Sequence, residues 1–131
     1  MEINWLAVIV SGVLYFMIGA LWYSPLLFSK LFLKYRNATP EELSGPPYEY
    51  IATVVLDLIN ALVLAVILKA LGITDLGTGV LISVLIGFGI GSTSTLTFAI
   101  YSGPHKALWA IYTGYQLVAF AVMGAILTLW R

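Results

Sequence analysis

The sequence predicts an all-α integral membrane protein: a four-helix bundle with a short interfacial amphipathic helix after its first span. Three observations carry this. Hydrophobic residues make up 61% of the 131 and charged residues only 9%, the mean hydropathy is +1.01, and the apolar residues gather into four runs long enough to cross a bilayer. Soluble domains hold roughly 45–50% apolar and about 25% charged residues. A spanning helix needs about 20 mostly apolar residues, because the hydrocarbon core is roughly 30 Å thick and a helix rises about 1.5 Å per residue. Six basic residues against six acidic ones leave no net charge, so there is no concentrated basic surface for nucleic acid. The absence of Cys excludes disulfides, thiolate metal sites and Cys nucleophiles, and a single His makes a zinc site unexpected.

The first span is expected over residues 3–23, interrupted only by Asn4, Ser11 and small residues. It follows Glu2 where a secretory signal would carry basic residues, and it exceeds the usual apolar stretch of about 7–15 residues, so it reads as a retained helix. Trp22 and Tyr23 suit the headgroup belt, and Ser24-Pro25 stops one helix while supplying the cap and first turn of another. Over residues 25–47 an interfacial helix and a polar hairpin are expected. Leu27, Phe28, Leu31, Phe32 and Tyr35 fall on one arc at about 100° per residue, with Lys30 and Lys34 off it; a plain continuation of the first span is the alternative. Thr39-Pro40-Glu41-Glu42-Leu43 then has the order of a helix start, and Ser44-Gly45-Pro46-Pro47 breaks it. The second span covers residues 50–68, the third 76–101 and the fourth 107–130. Together they use most of residues 1–131, leaving one membrane domain. Trp5, Trp109 and Trp130 also fall near span ends and, with Trp22 and Tyr23, read as interface anchors.

Positively charged loops stay in the cytoplasm. Lys30, Lys34, Arg36 and Lys106 lie on one side of the bundle, Lys69 and Arg131 on the other. The first and third loops are therefore expected in the cytoplasm and both termini outside, most naturally in the plasma membrane. His105, in Ser102-Gly103-Pro104-His105-Lys106, reads as an interfacial loop residue.

Helices in lipid associate through small residues and interhelical hydrogen bonds. On the third span Ser83, Gly87, Gly91 and Ser94 share a narrow sector at about 100° per residue, a stripe for packing within the chain or for a dimer seam. The nearby Ser92, Thr93, Thr95 and Thr97 are rich in hydroxyls, but Ser and Thr can bond back to their own helix. Asp57 is the candidate site residue. An intramembrane carboxylate is costly, faces a bundle interior, and marks a pathway or a partner. Thr53, Asp57 and Asn60 share one helical face, expected to point inward. Tyr15, Asp57 and Gln116 come out at similar depth, with Tyr112 one turn from Gln116 and Tyr115 beside it. Such a cluster serves either as a solute site or as polar glue; a cavity beside Asp57 favours the first and tight packing the second.

The segments Ala20-Leu21-Trp22-Tyr23-Ser24-Pro25-Leu26, after Ile3-Asn4-Trp5, and Gly114-Tyr115-Gln116-Leu117-Val118, with Met123-Gly124-Ala125-Ile126-Leu127, resemble the small membrane family called domain of unknown function 1761. The resemblance covers essentially the whole chain and implies a compact four-helix membrane protein. It implies no activity and no catalytic residues, and Asp57 lies outside these segments. The sequence has no phosphate loop, nucleophile elbow or metal-ligand cluster, so neither enzymatic activity nor a cofactor or metal is expected. Apart from the lipid bilayer, the expected partner is a second copy or a larger membrane complex. The functional expectation is an oligomeric transporter or channel-like protein for a small solute or ion, with Asp57 at mid-membrane. The alternative is a non-catalytic accessory subunit that packs against a larger complex.

Overall fold

The computed structural model describes residues 2–36, 46–102 and 106–131. The expected helix start at Thr39-Pro40-Glu41-Glu42-Leu43, most of the polar hairpin and His105 lie outside the described residues. Among those described, four helices are long and apolar enough to cross a membrane: Trp5–Trp22, Pro47–Ala70, Leu76–Ser102 and Lys106–Leu129.

Helix α1 (Trp5–Trp22) starts just after Asn4, whose side chain accepts the Ala7 N–H at 3.2 Å and so satisfies one of the donors a helix start leaves free. Its other end departs from expectation. Ser24 does not cap a following helix; its hydroxyl donates back to the Leu21 carbonyl (2.6 Å) and accepts from the Leu26 N–H (3.3 Å). The Ser24 carbonyl in turn accepts the N–H groups of Leu27 and Ser29. Residues 24–28 therefore form a turn, and α2 (Ser29–Arg36) begins only after it. The apolar arc of α2 is divided. Phe28 and Phe32 are half-buried against Trp22 and Tyr23, with ring centroids 4.7 and 5.0 Å apart, while Leu27 and Leu31 stay exposed beside Lys30 and Lys34.

Helix α3 (Pro47–Ala70) starts ahead of the apolar run because Pro47 fits the first turn, where its missing N–H leaves nothing unpaired. It ends where Gly72, at φ +67°, adopts the left-handed conformation that glycine tolerates best. The Gly72 and Ile73 N–H groups then bond the Lys69 and Leu68 carbonyls, and Ile73 folds onto the core. Asp75 caps the next span. Its carboxylate accepts from the Thr78 N–H and hydroxyl, both at 2.8 Å, and these bonds hold its pKa below the usual carboxylate value. A lowered folded-state pKa means the cap stabilises at neutral pH and is lost as acidification protonates the group.

The third span runs as α4 (Leu76–Val84), a π-helical segment (Leu85–Ser92) and α5 (Thr93–Ser102). The π-helical segment corrects the expected stripe. Ser83 and Gly87 are buried, but Gly91 and Ser94 are exposed, and Ser92 and Ala99 take their place. In an α-helix a step of five residues overshoots a full turn by about 140°; in a π-helix i and i+5 are successive turns. The buried series Gly79, Ser83, Gly87, Ser92 follows that change of period. The Ser92 carbonyl accepts from the Thr95 hydroxyl (2.9 Å) and the Trp109 indole (2.8 Å), so Trp109 is turned to the protein rather than serving only as an anchor. The exposed hydroxyls of Thr93, Ser94, Thr97 and Ser102 each donate to a carbonyl of their own helix, at Gly89, Ile90, Thr93 and Phe98. They are satisfied without lining a polar path.

Helix α6 (Lys106–Leu129) is the most deeply packed of the four spans, against α1 on one side and the third span on the other, while α1 also packs on α3. Small residues set the α4–α6 spacing. A Cβ on Gly79 would fall on the Thr128 side chain, one on Gly124 on Ser83, and one on Gly87 within 2.6 Å of the Phe120 ring. Gly87 is thus covered by its own chain, and Gly79, Ser83 and Gly87 form an internal seam against α6.

Gly87→Ala forces Phe120 to move, and overpacking of this kind costs about 1–3 kcal/mol. Gly91→Ala meets nothing nearer than 3.7 Å. Unfolding of the purified protein in detergent is expected to show a lowered midpoint for Gly87→Ala and none for Gly91→Ala; equal losses would contradict the internal seam.

Candidate functional site

The buried face of α6 brings Tyr115 and Gln116 against α1, and the hydrogen bonds between them close the centre of the bundle. The Tyr15 hydroxyl donates to Gln116 Oε1 at 2.5 Å, and the Tyr115 hydroxyl donates to the Tyr15 carbonyl at 2.8 Å. The two tyrosine rings lie 5.3 Å apart, and Tyr15 meets Phe120 edge-on at 5.7 Å. Gly19 makes room for Tyr115, since a Cβ there would lie 2.9 Å from its hydroxyl oxygen. One turn further along, the indole of Trp22 rests on Gly114 and donates to the Ile111 carbonyl at 2.9 Å.

Three of the expected anchors therefore differ. Trp22 is half-buried and spends its N–H inside the protein. Tyr23 is held between Phe32 and Tyr115, with centroids at 5.0 and 6.2 Å. Trp130 stays partly exposed at the other end, where its carbonyl accepts from Asn4 Nδ2 at 3.4 Å.

From α3 comes Asp57, only 6% exposed, with Oδ2 buried and without a hydrogen-bond partner. It turns inward alone. Thr53 and Asn60 are exposed, and each bonds its own helix, Thr53 to the Glu49 carbonyl (2.8 Å) and Asn60 to the Leu56 carbonyl (2.9 Å). The inward Thr53-Asp57-Asn60 stripe is thus corrected to a single inward residue. The buried face of α3 comprises Asp57, Ala61, Leu64, Ala65 and Leu68. At about 100° per residue its centre lies to one side of Asp57, with Thr53 and Asn60 on the other.

Two cavities flank the tyrosine pair. One, of about 350 Å³, is lined by Tyr15, Asn60, Tyr112 and Gln116 together with Gly87 and Phe120. The other, of about 270 Å³, is lined by Asp57 and Thr53 of α3, by Phe16 and Tyr23 near the end of α1, and by Tyr50 and Tyr115. Tyr15 belongs to the wall of the first and Tyr115 to the wall of the second, so the ring pair is a partition shared by both. The expected residues are thereby divided: Tyr15 and Gln116 bond directly, Tyr112 and Asn60 share their cavity, and Asp57 and Thr53 face the other. Among the described residues no basic side chain lines either cavity. Among the described residues no three of His, Cys, Asp or Glu come together as metal ligands do.

Phe16 and Tyr50 were not singled out in the sequence, although a signal for them exists. Phe16, Gly19, Ala20 and Tyr23 repeat at helical spacing, as do Tyr50, Thr53 and Asp57, and two antiparallel helices of one hairpin bring such stripes to equal depth.

Compared with known proteins, the chain matches the family model described as Protein of unknown function (DUF1761) over residues 6–128. No curated protein and no solved structure matches it. Two of the segments that carry the resemblance in sequence meet in space, through Trp22 on Gly114 and through the Tyr23 and Tyr115 rings.

The cluster separates two kinds of polar residue by their effect on stability. Tyr15→Phe strips a buried acceptor of its donor, which costs about 1–3 kcal/mol, whereas Asp57→Leu removes a buried group that has no partner for its Oδ2. Thermal unfolding in detergent is expected to show a lowered midpoint for Tyr15→Phe and an unchanged or raised one for Asp57→Leu. A comparable loss in both would make Asp57 an interhelical lock.

Proposed function

The chain belongs to the DUF1761 family, and from that premise we propose that it is an oligomeric, non-enzymatic transporter or channel-like protein for a small solute or ion, with Asp57 as the group that receives the solute. One observation carries the reading: a carboxyl group buried at mid-helix, with one oxygen unpartnered, on the wall of an open cavity of about 270 Å³. A polar group kept in lipid without a partner costs free energy and does nothing for packing, so a binding role is the reason to retain it. Residues of this kind run against stability where they serve function.

The wall of the cavity includes the exposed residues Ala20, Tyr50 and Thr53, a side left open that a second copy would close. With the first and third loops in the cytoplasm, as the Lys and Arg distribution favours, Tyr23 and Tyr50 mark its cytoplasmic end. The alternative, an accessory subunit docking through the Gly87 and Gly91 stripe, has less support because Phe120 already covers Gly87.

The test is flux. Vesicles reconstituted with the wild-type protein and loaded with a pH-sensitive dye are expected to show protein-dependent, pH-dependent flux when a panel of small solutes is added. Asp57→Asn is expected to lower that flux about tenfold or more, as loss of a charged partner does, while leaving expression and oligomeric state intact. Unchanged flux in Asp57→Asn would end the mechanism.

A further inference from the structure

We infer that the Asp57 cavity takes a small organic ammonium ion. This rests on the reading of Asp57 as the solute-receiving group and names the class of solute. The wall holds one carboxylate, and four of its residues are aromatic: Phe16, Tyr23, Tyr50 and Tyr115. That composition disfavours a metal ion. Calcium takes about 6–8 oxygen ligands and magnesium near-ideal octahedral oxygen coordination, and among the described residues no cluster of acids or histidines supplies them. A neutral solute could hydrogen-bond Asp57 but would leave its charge without a counter-ion.

An alkylated ammonium ion fits on each count. Its charge is the counter-ion that the ionised carboxylate lacks inside the cavity, which no basic side chain lines among the described residues. Its carbon shell loses little on leaving water for apolar walls, and aromatic rings attract cations through their negative faces. A volume of about 270 Å³ suits a compact ion of a few carbon atoms. Tyr115 is fixed in the wall by its bond to the Tyr15 carbonyl, and Tyr23 by its ring contacts. Half-exposed Tyr50 and the exposed Thr53 stand at the mouth.

The probe is choline, compared with its neutral isostere 3,3-dimethylbutan-1-ol and with potassium, by calorimetric titration of the full-length protein in detergent. Choline is expected to bind, and the isostere to bind about tenfold more weakly or not at all. Asp57→Asn is expected to reduce choline affinity about 10- to 100-fold. Tyr50→Leu, chosen because its site is half-exposed and tolerates change, is expected to reduce it about 2- to 5-fold, with affinity retained in Tyr50→Phe. The inference is overturned if choline does not bind, if the isostere binds as tightly, if potassium displaces choline at equal concentration, or if Asp57→Asn binds unchanged.

The vesicle assay keeps the two readings apart. Asp57-dependent flux of another solute without choline binding overturns the ammonium class and leaves transport standing. Choline binding at Asp57 without flux upholds the binding site and overturns transport.

Discussion

The structure depends on the hydrogen-bonded contact between α1 and α6. In lipid, helices gain nothing from burying leucine against leucine rather than against acyl chains, so polar bonds and close backbone approach must choose the partners. Here the Tyr15 hydroxyl meets Gln116 and the Tyr115 hydroxyl meets the Tyr15 carbonyl, both bonds fully inside the bundle. Gly19 and Gly114 admit the Tyr115 ring and the Trp22 indole that flank those bonds. With α6 fixed on α1 in this register, α3 docks chiefly on α1 and the third span chiefly on α6.

The third span shows how a membrane helix meets two demands with one face. Its first half must lie close to α6, which Gly79, Ser83 and Gly87 allow; its second half must present Ser92 and Ala99 to the same neighbour. An unbroken α-helix would carry that face round to Gly91 and Ser94. The π-helical turn resets the phase, and the Trp109 indole and Thr95 hydroxyl bond the Ser92 carbonyl where it ends. Such segments are rare and often occur at functional positions. This one contributes Ile86, Gly87, Ile90 and Gly91 to the larger cavity.

Much of the fold was legible because the bilayer imposes a simple rule of length and hydropathy, and the four runs obey it within a few residues at each end. Local chemistry that competes with that rule was harder to read. Ser24 looked like a cap for the next helix and instead closes the preceding one, since a hydroxyl serves either direction. The stripe through Gly91 and Ser94 assumed a constant period, which nothing in Leu85–Ser92 signals as broken. At the site, the depth of Tyr15 and Gln116 followed from counting along antiparallel spans, and they meet. The exposure of Thr53 and Asn60 did not, because a shared helical face spans a wide arc and the buried side of α3 is centred beyond Asp57.

Asp57 is the residue that packing alone does not explain. The hydroxyls of Ser11, Ser92, Thr113 and Thr128 are also buried without a partner, but among the described residues Asp57 is the one carboxyl group so placed, and a carboxylate costs far more to bury than a hydroxyl. The account turns on whether this group faces a space that water and solutes enter. The chain contains no cysteine, so a single Asp57→Cys variant in native membranes can be exposed to a cationic, water-soluble methanethiosulfonate, with Ala61→Cys, fully buried one turn away, as reference. The account predicts rapid modification at position 57 and none at 61. Equal inertness at both positions would mean that Asp57 is sealed inside the bundle, and the cavity reading would fall.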